Sequence, residues 1–196
     1  GPKHSVKNKI KYKKYWRKTS FKQKGIGDFF LQHVKEKQPK NFLEIGVFHG
    51  VTSRNVCDLL KTIHGNNFKF TGIDIFSVES NLTKDEFIPK TKFSNPLKTL
   101  YYKYLIRLDP YSLESVKKLL RKYKNNINII KGNSNEILPE IIIEKFDYVF
   151  LDGGHKYETV LKDLKILTQI IKNGGIILCD DYDLTYAPGV KKAIDE

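Results

Sequence analysis

Three aspartates are of a type and spacing that could do metal chemistry. Asp152 closes the apolar run Phe146-Asp147-Tyr148-Val149-Phe150-Leu151, Asp180 closes Gly174-Gly175-Ile176-Ile177-Leu178-Cys179, and Asp181 follows directly. On neighbouring strands, roughly 4.8 Å apart, the carboxylates would crowd and repel one another. A hard divalent cation relieves such repulsion through oxygen ligands, so magnesium or calcium is expected on Asp152, Asp180 and Asp181, with Mg2+ favoured inside a cell. That cation would grip acceptor hydroxyls and lower the pKa of one of them. His155, three residues past Asp152, titrates near working pH and is the candidate for taking the acceptor's proton, so His155 and Asp152 form the catalytic pair. The alternatives stay open: the aspartates could cap helices or pair with lysine, and the histidine could be solvated.

A second set surrounds a glycine turn, Phe42-Leu43-Glu44-Ile45-Gly46-Val47-Phe48-His49-Gly50-Val51-Thr52-Ser53. A strand that ends in glycine and turns straight into a helix lets backbone approach a ligand and offers it free N–H groups. Glu44, Gly46, Phe48, Gly50, Thr52 and Ser53 are therefore candidates for holding a nucleotide-like cofactor. No G-x-G-x-x-G is present, which disfavours a dinucleotide. Asp74, in Phe70-Thr71-Gly72-Ile73-Asp74-Ile75, could accept two ribose hydroxyls or cap a turn. In Lys131-Gly132-Asn133-Ser134, Asn133 and Ser134 suit an adenine contact or a helix N-cap.

These residues need a scaffold that brings strand ends to one edge, and the chain supplies its pattern. Short apolar runs at 41–46, 68–75, 127–131, 147–151 and 175–180 alternate with helical periodicities at 52–63, 113–123, 135–143 and 157–171, after a lead-in helix at 26–34. Strands joined by crossover helices imply an α/β fold with a Rossmann-like, doubly wound, mostly parallel sheet flanked by helices. Asn173-Gly174-Gly175 is expected to end the last helix. The stretch 76–126 is too long for a simple crossover and reads as an insertion: a lid, an acceptor wall or surface helices.

Taken together, these blocks resemble class I S-adenosylmethionine-dependent methyltransferases, more narrowly small-molecule and sugar O-methyltransferases of the macrocin type, from about Phe42 to Glu196. The most specific stretches are residues 146–160, Gly174 to Asp183, and Gly189-Val190-Lys191-Lys192-Ala193-Ile194. The glycine turn departs from the commonest E-x-G-x-G form because Phe48 stands at the second glycine. The resemblance implies S-adenosyl-L-methionine as cofactor, with Glu44, Gly46, Asp74 and Ser134 around it, a metal on the aspartates, and a sugar, glycan or other small molecule as acceptor. An RNA methyltransferase or a non-catalytic cofactor-binding domain of a larger glycan-assembly protein are the alternatives. The family sheet has two more strands after the helix near Gly189, so C-terminal strands are expected to be missing from a sequence ending at Glu196. The fifth-strand edge left open would favour a homodimer.

Charge is unevenly distributed. The net charge is +13, yet residues 1–24 hold ten Lys or Arg and no acid, leaving +3 for the rest. The chain thus divides into a basic N-terminal arm, 1–24, and a methyltransferase domain, 25–196. The arm, interleaved with Tyr12, Tyr15 and Trp16, could meet phosphates or an acidic membrane face, but a solvated helix or extension is the default. Lysine outnumbers arginine 31 to 4, a base-composition bias more than a selected phosphate grip, and the acids after the fifth strand are hostile to phosphate, so nucleic acid is not the expected partner. Two cysteines, no apolar run near the roughly 20 residues of a membrane span and no secretory signal point to a cytoplasmic protein.

Overall fold

The computed structural model describes residues 10–21, 25–76, 95–97, 111–141, 145–152 and 157–179. In chain order the elements are α1 (Ile26–Lys37), β1 (Asn41–Ile45), α2 (Val51–His64), β2 (Lys69–Asp74), α3 (Leu113–Leu119), β3 (Ile127–Lys131), α4 (Ser134–Ile137), β4 (Phe146–Leu151), α5 (Tyr157–Ile170) and β5 (Ile171–Cys179). The five strands form one sheet in the order β3-β2-β1-β4-β5, and every pairing is parallel. This is the Rossmann-like sheet expected of the alternating pattern. The order reverses beside β1, which puts the carboxyl ends of β1, β2 and β4 at the crevice where such sheets hold ligands.

Strand alternation divides the core into two layers. Phe42, Phe70, Tyr148 and Phe150 pack with Phe30, Leu31 and Val34 of α1 and Val56 and Leu60 of α2. Leu43, Ile45, Ile73, Val149 and Leu151 pack on the other face with Leu138 and Leu167. Both faces of the sheet are therefore covered, which is why the strands read as continuous apolar runs. At the centre, Phe42 stacks on its register partners Phe70 and Tyr148, with centroids 5.6 and 5.0 Å away. Such aromatic pairs contribute about 0.5–1.5 kcal/mol each beyond the area they bury.

Several expected boundaries move. The helix expected at 135–143 is α4 followed by a 3₁₀ turn, Leu138–Ile141, because Pro139 lacks the N–H that an α-helix would need there. The helix expected at 113–123 ends as α-helix at Leu119 and closes with a 3₁₀ turn, Arg121–Tyr123. Asn173-Gly174-Gly175 does not end α5; β5 starts at Ile171 and takes those residues up as an irregularity, with a register shift between Phe146 and Tyr148 and Gly174 at φ 80°.

The larger correction concerns the basic arm, whose residues 10–21 are folded onto the core through Tyr12, Arg17 and Phe21 while their lysines stay exposed. Phe21 is buried between Phe30 and Phe150, at centroid distances of 5.1 and 5.7 Å. The Lys13 N–H donates to Asn55 Oδ1 at 2.9 Å while Asn55 Nδ2 donates to the Lys13 carbonyl at 2.7 Å. Tyr12 lies over Gly27 so closely that a Cβ there would sit 2.4 Å from its ring. Arg17, also buried, donates to the His49 carbonyl at 3.2 Å and to Ser115 Oγ at 2.9 Å, tying the arm to both the glycine turn and α3.

Candidate functional site

The carboxyl edge of the sheet is closed by backbone. Gly46 N–H donates to the Ile73 carbonyl at 2.8 Å, Asp152 N–H to the Ile45 carbonyl at 2.7 Å, and Gly132 N–H to the Asp74 carbonyl at 2.9 Å. Each strand thus runs one residue further before its loop departs, and Gly46, Asp152 and Gly132 are held at the same edge. Gly46 and Gly50 take φ values of 92° and 81°, which ordinary residues avoid. Phe48, between them, also takes a left-handed φ of 56°, a conformation that favours glycine. Its ring stacks on His49, centroids 4.1 Å apart, and tilts against Tyr111.

Asp74 locks this turn to β2. One carboxylate oxygen accepts the Phe48 N–H at 2.8 Å; the other accepts the Phe76 N–H at 2.9 Å and the Tyr111 hydroxyl at 2.7 Å. The turn-capping role left open by the sequence is therefore filled, by the same group that was the ribose candidate. Burial and hydrogen bonding to Asp74 push the Tyr111 phenol well up, so it stays a donor.

Glu44 is fully buried in β1 and accepts a hydrogen bond from Ser53 Oγ. Burial pushes its carboxyl up to about 8, against the Ser53 bond, with the nearby Asp74 charge adding to the rise. Thr52 shares a 2.7 Å hydrogen bond with the Tyr12 hydroxyl, which also meets Thr19 Oγ1 at 2.6 Å. The hydroxyls of Thr52 and Ser53 are thus spent on the arm and on Glu44. At the β3 end, Asn133 is the N-cap of α4, its side chain accepting from the Asn135 N–H at 3.0 Å. Ser134 donates to Asp163 of α5 at 2.7 Å, and burial raises the Asp163 carboxyl to about 6.

A shallow cleft opens beside these groups, lined by Gly46, Phe48, His49, Thr52 and Asp152 on one side and by Lys18, Thr19 and Ser20 of the arm on the other. Lys18, Thr19 and Ser20 were not legible as site residues, because only tertiary packing brings the arm here. His49 was also not singled out in the sequence: it is buried, and its Nδ1 has no hydrogen-bond partner among the described residues. Burial, followed by the Arg17 and Lys18 charges, lowers its pKa to about 3 and keeps the ring neutral. The structure brings Glu44, Gly46, Phe48, Gly50, Thr52, Ser53, Asp74 and Asp152 to one edge. His155, Asp180 and Asp181 lie outside the described residues, and among the described residues no group of three or more His, Cys, Asp or Glu could hold a metal. No described helix is long and apolar enough to cross a membrane.

Among solved structures, the chain is similar to the O-methyltransferase NovP, with 20% identity, a TM-score of 0.59 and coverage of 85% of this chain and 69% of that one. It is also similar to the O-methyltransferase TomG from Streptomyces achromogenes in complex with SAM, with 15% identity, a TM-score of 0.56 and coverage of 86% and 66%. CalS11, a TDP-rhamnose 3'-O-methyltransferase, matches at 14% identity, a TM-score of 0.56 and coverage of 85% and 66%. These likenesses establish the fold. In sequence, an uncharacterised protein of Acanthamoeba polyphaga mimivirus, R132, is 27% identical over 106 residues, and the match spans 48% of each chain, about half that relative's length. The model of the methyltransferase-domain family matches residues 43–182, which takes in the glycine turn, Asp74 and the three aspartates, and the chain belongs to that family.

Proposed function

We propose that this chain transfers a methyl group from S-adenosylmethionine to an oxygen of a small acceptor, a sugar or glycan hydroxyl in the first instance, with a divalent cation assisting. The observation that carries the reading is the junction at Asp74, where one carboxylate joins the glycine turn of β1 to the end of β2, with only β1 between β2 and β4, which Asp152 follows. The residues suit the cofactor. Helix α2 has Gly50 as its N-cap and no side-chain cap, and Val51 and Thr52 line the cleft, so its amino end suits a carboxylate. The buried Nδ1 of His49 offers a polar ligand group a partner. Asp74 accepts three hydrogen bonds, and an ionised carboxylate offers about four acceptor positions, so capacity remains for a ribose hydroxyl. Asn133 and Ser134 would lie toward the adenine.

The cofactor supplies a methyl group already activated on a sulfonium, so the protein's main task is to align the acceptor with it. A cation held by Asp152, Asp180 and Asp181 would supply the positive charge that makes an acceptor hydroxyl acidic. Asp180 directly follows Cys179, which is paired in register with Leu151. His155 would take the acceptor's proton. The name of CalS11 supports a sugar acceptor, as do the adjacent hydroxyls that such a cation grips.

The test incubates the protein with S-adenosylmethionine and a panel of sugars, nucleotide sugars and catechols, with Mg2+ or with EDTA, and reads products by mass spectrometry. One added methyl group on a sugar-bearing acceptor is expected, lost in Asp152→Asn and diminished by EDTA. His155→Ala should lower turnover by about 10²–10⁴-fold with cofactor affinity unchanged. Failure of every oxygen acceptor, with the cofactor left unconsumed, would refute the proposal.

A further inference from the structure

The turn at residues 14–17 is closed by the Arg17 N–H donating to the Lys14 carbonyl at 2.9 Å. Its two central residues, Tyr15 and Trp16, have φ values of 50° and 58°. Non-glycine residues hold that left-handed conformation only where their surroundings enforce it, and such strain gathers at working surfaces. Here Tyr15 is the anchor. Its hydroxyl donates to Asp58 at 2.5 Å, and the Arg54 guanidinium lies 4.9 Å above its ring. Asp58 also accepts from Arg54 and from the Tyr123 hydroxyl, and Lys122 Nζ stands 3.8 Å from it. Burial alone would push Asp58 up, but the hydrogen bonds from Tyr123, Tyr15 and Arg54 outweigh it and hold the carboxylate below its ordinary value.

One consequence is that two basic segments distant in sequence share a face. Residues 10–21 hold five basic side chains and no acid, and residues 111–124 hold five and one acid, Glu114. Lys14, Lys18, Lys118, Arg121 and Lys122 are all exposed, and the acid between the segments, Asp58, is already engaged. Within this charge Trp16 is 56% exposed. It is the one exposed large apolar side chain among the described residues of the arm and α3.

We propose that this face binds single-stranded nucleic acid, with Trp16 stacking on a base while lysines of the arm and of residues 117–122 neutralise phosphates. A positive surface that follows the backbone, combined with an aromatic ring for the bases, is how single strands are held without regard to sequence. A membrane-surface segment needs a broad apolar face, which a lone tryptophan does not provide, and an anionic polysaccharide has no base to stack. The packing of the arm alters the expectation drawn from sequence, since a solvated extension would present no fixed surface. The claim concerns a binding surface and stands apart from the methyl acceptor.

Trp16 is the sole tryptophan in the sequence, so intrinsic fluorescence reports on it alone. Titration of the full chain with an oligouridylate of about 12 nucleotides, within the span such sites cover, should quench that emission. The logarithm of affinity should fall against the logarithm of salt with a slope of about −2 to −4, as for three to six phosphates neutralised. Measured by anisotropy of a labelled oligonucleotide, Trp16→Ala should weaken binding by about tenfold or more, and the Lys14→Gln, Lys118→Gln pair should flatten the slope. Binding of S-adenosylhomocysteine should be unchanged in these variants, which keeps this test separate from that of methyl transfer. Absence of binding, or Trp16→Ala binding like the parent, would overturn the proposal. So would heparin binding without quenching, or anionic vesicles shifting the emission to the blue, where the oligonucleotide has no effect.

Discussion

Glu44 shows how one buried acid shapes the pH response. Its folded pKa of about 8 lies above the ordinary 4.5, so the folded state holds the proton more tightly than the unfolded chain. Stability from this group is complete below pH 4.5 and declines as pH rises toward 8, by about 1.4 kcal/mol per pH unit. Glu44→Gln should flatten that decline, as read by thermal melts from pH 4.5 to 8; a parallel decline in the variant would show that Glu44 is not its source. Among the site residues, those the sequence disclosed sit where an apolar run ends: Glu44, Gly46, Asp74 and Asp152 are fixed by strand periodicity and glycine alone. His49 was not legible, because its neutrality comes from burial and from Arg17 and Lys18, which reach it only through the folded arm.

Elements held by local chemistry were readable, and those held by distant contacts were not. β3 begins and ends where its apolar run does, and α2 starts at its glycine, whereas the shortening of α4 turns on Pro139 and the early start of β5 on pairing with Phe146. The arm is the extreme case, since its lysines read as solvated while Tyr12, Arg17 and Phe21 do the packing. Gly27→Ala would put a Cβ within 2.4–2.8 Å of three Tyr12 atoms, an overpacking that costs about 1–3 kcal/mol. The arm should come loose, with faster tryptic cleavage at Lys11 to Lys18 while the sheet's circular dichroism persists; unchanged cleavage would mean that Tyr12 does not secure it. Gly50→Ala adds a left-handed cost of about 1–2 kcal/mol to a Cβ contact 3.1 Å from Val116. It should lower the thermal midpoint and loosen α3 from the glycine turn.

Over the whole molecule, a five-stranded parallel sheet gathers the ends of β1, β2 and β4 at one edge, and a basic arm closes one side of the cleft there. The sheet was legible because both its faces are buried and its strands are uniformly apolar; the closure was not, because charge pattern says nothing of where a segment docks. The direct measurement is calorimetric titration of the full chain with S-adenosylhomocysteine. Binding at one ligand per chain is expected, lost or severely weakened in Asp74→Ala and preserved in Asp147→Asn, whose carboxylate serves Lys40 and Asn41 at the opposite end of β4. No heat of binding to the parent chain, or equal affinity in Asp74→Ala, would contradict the account.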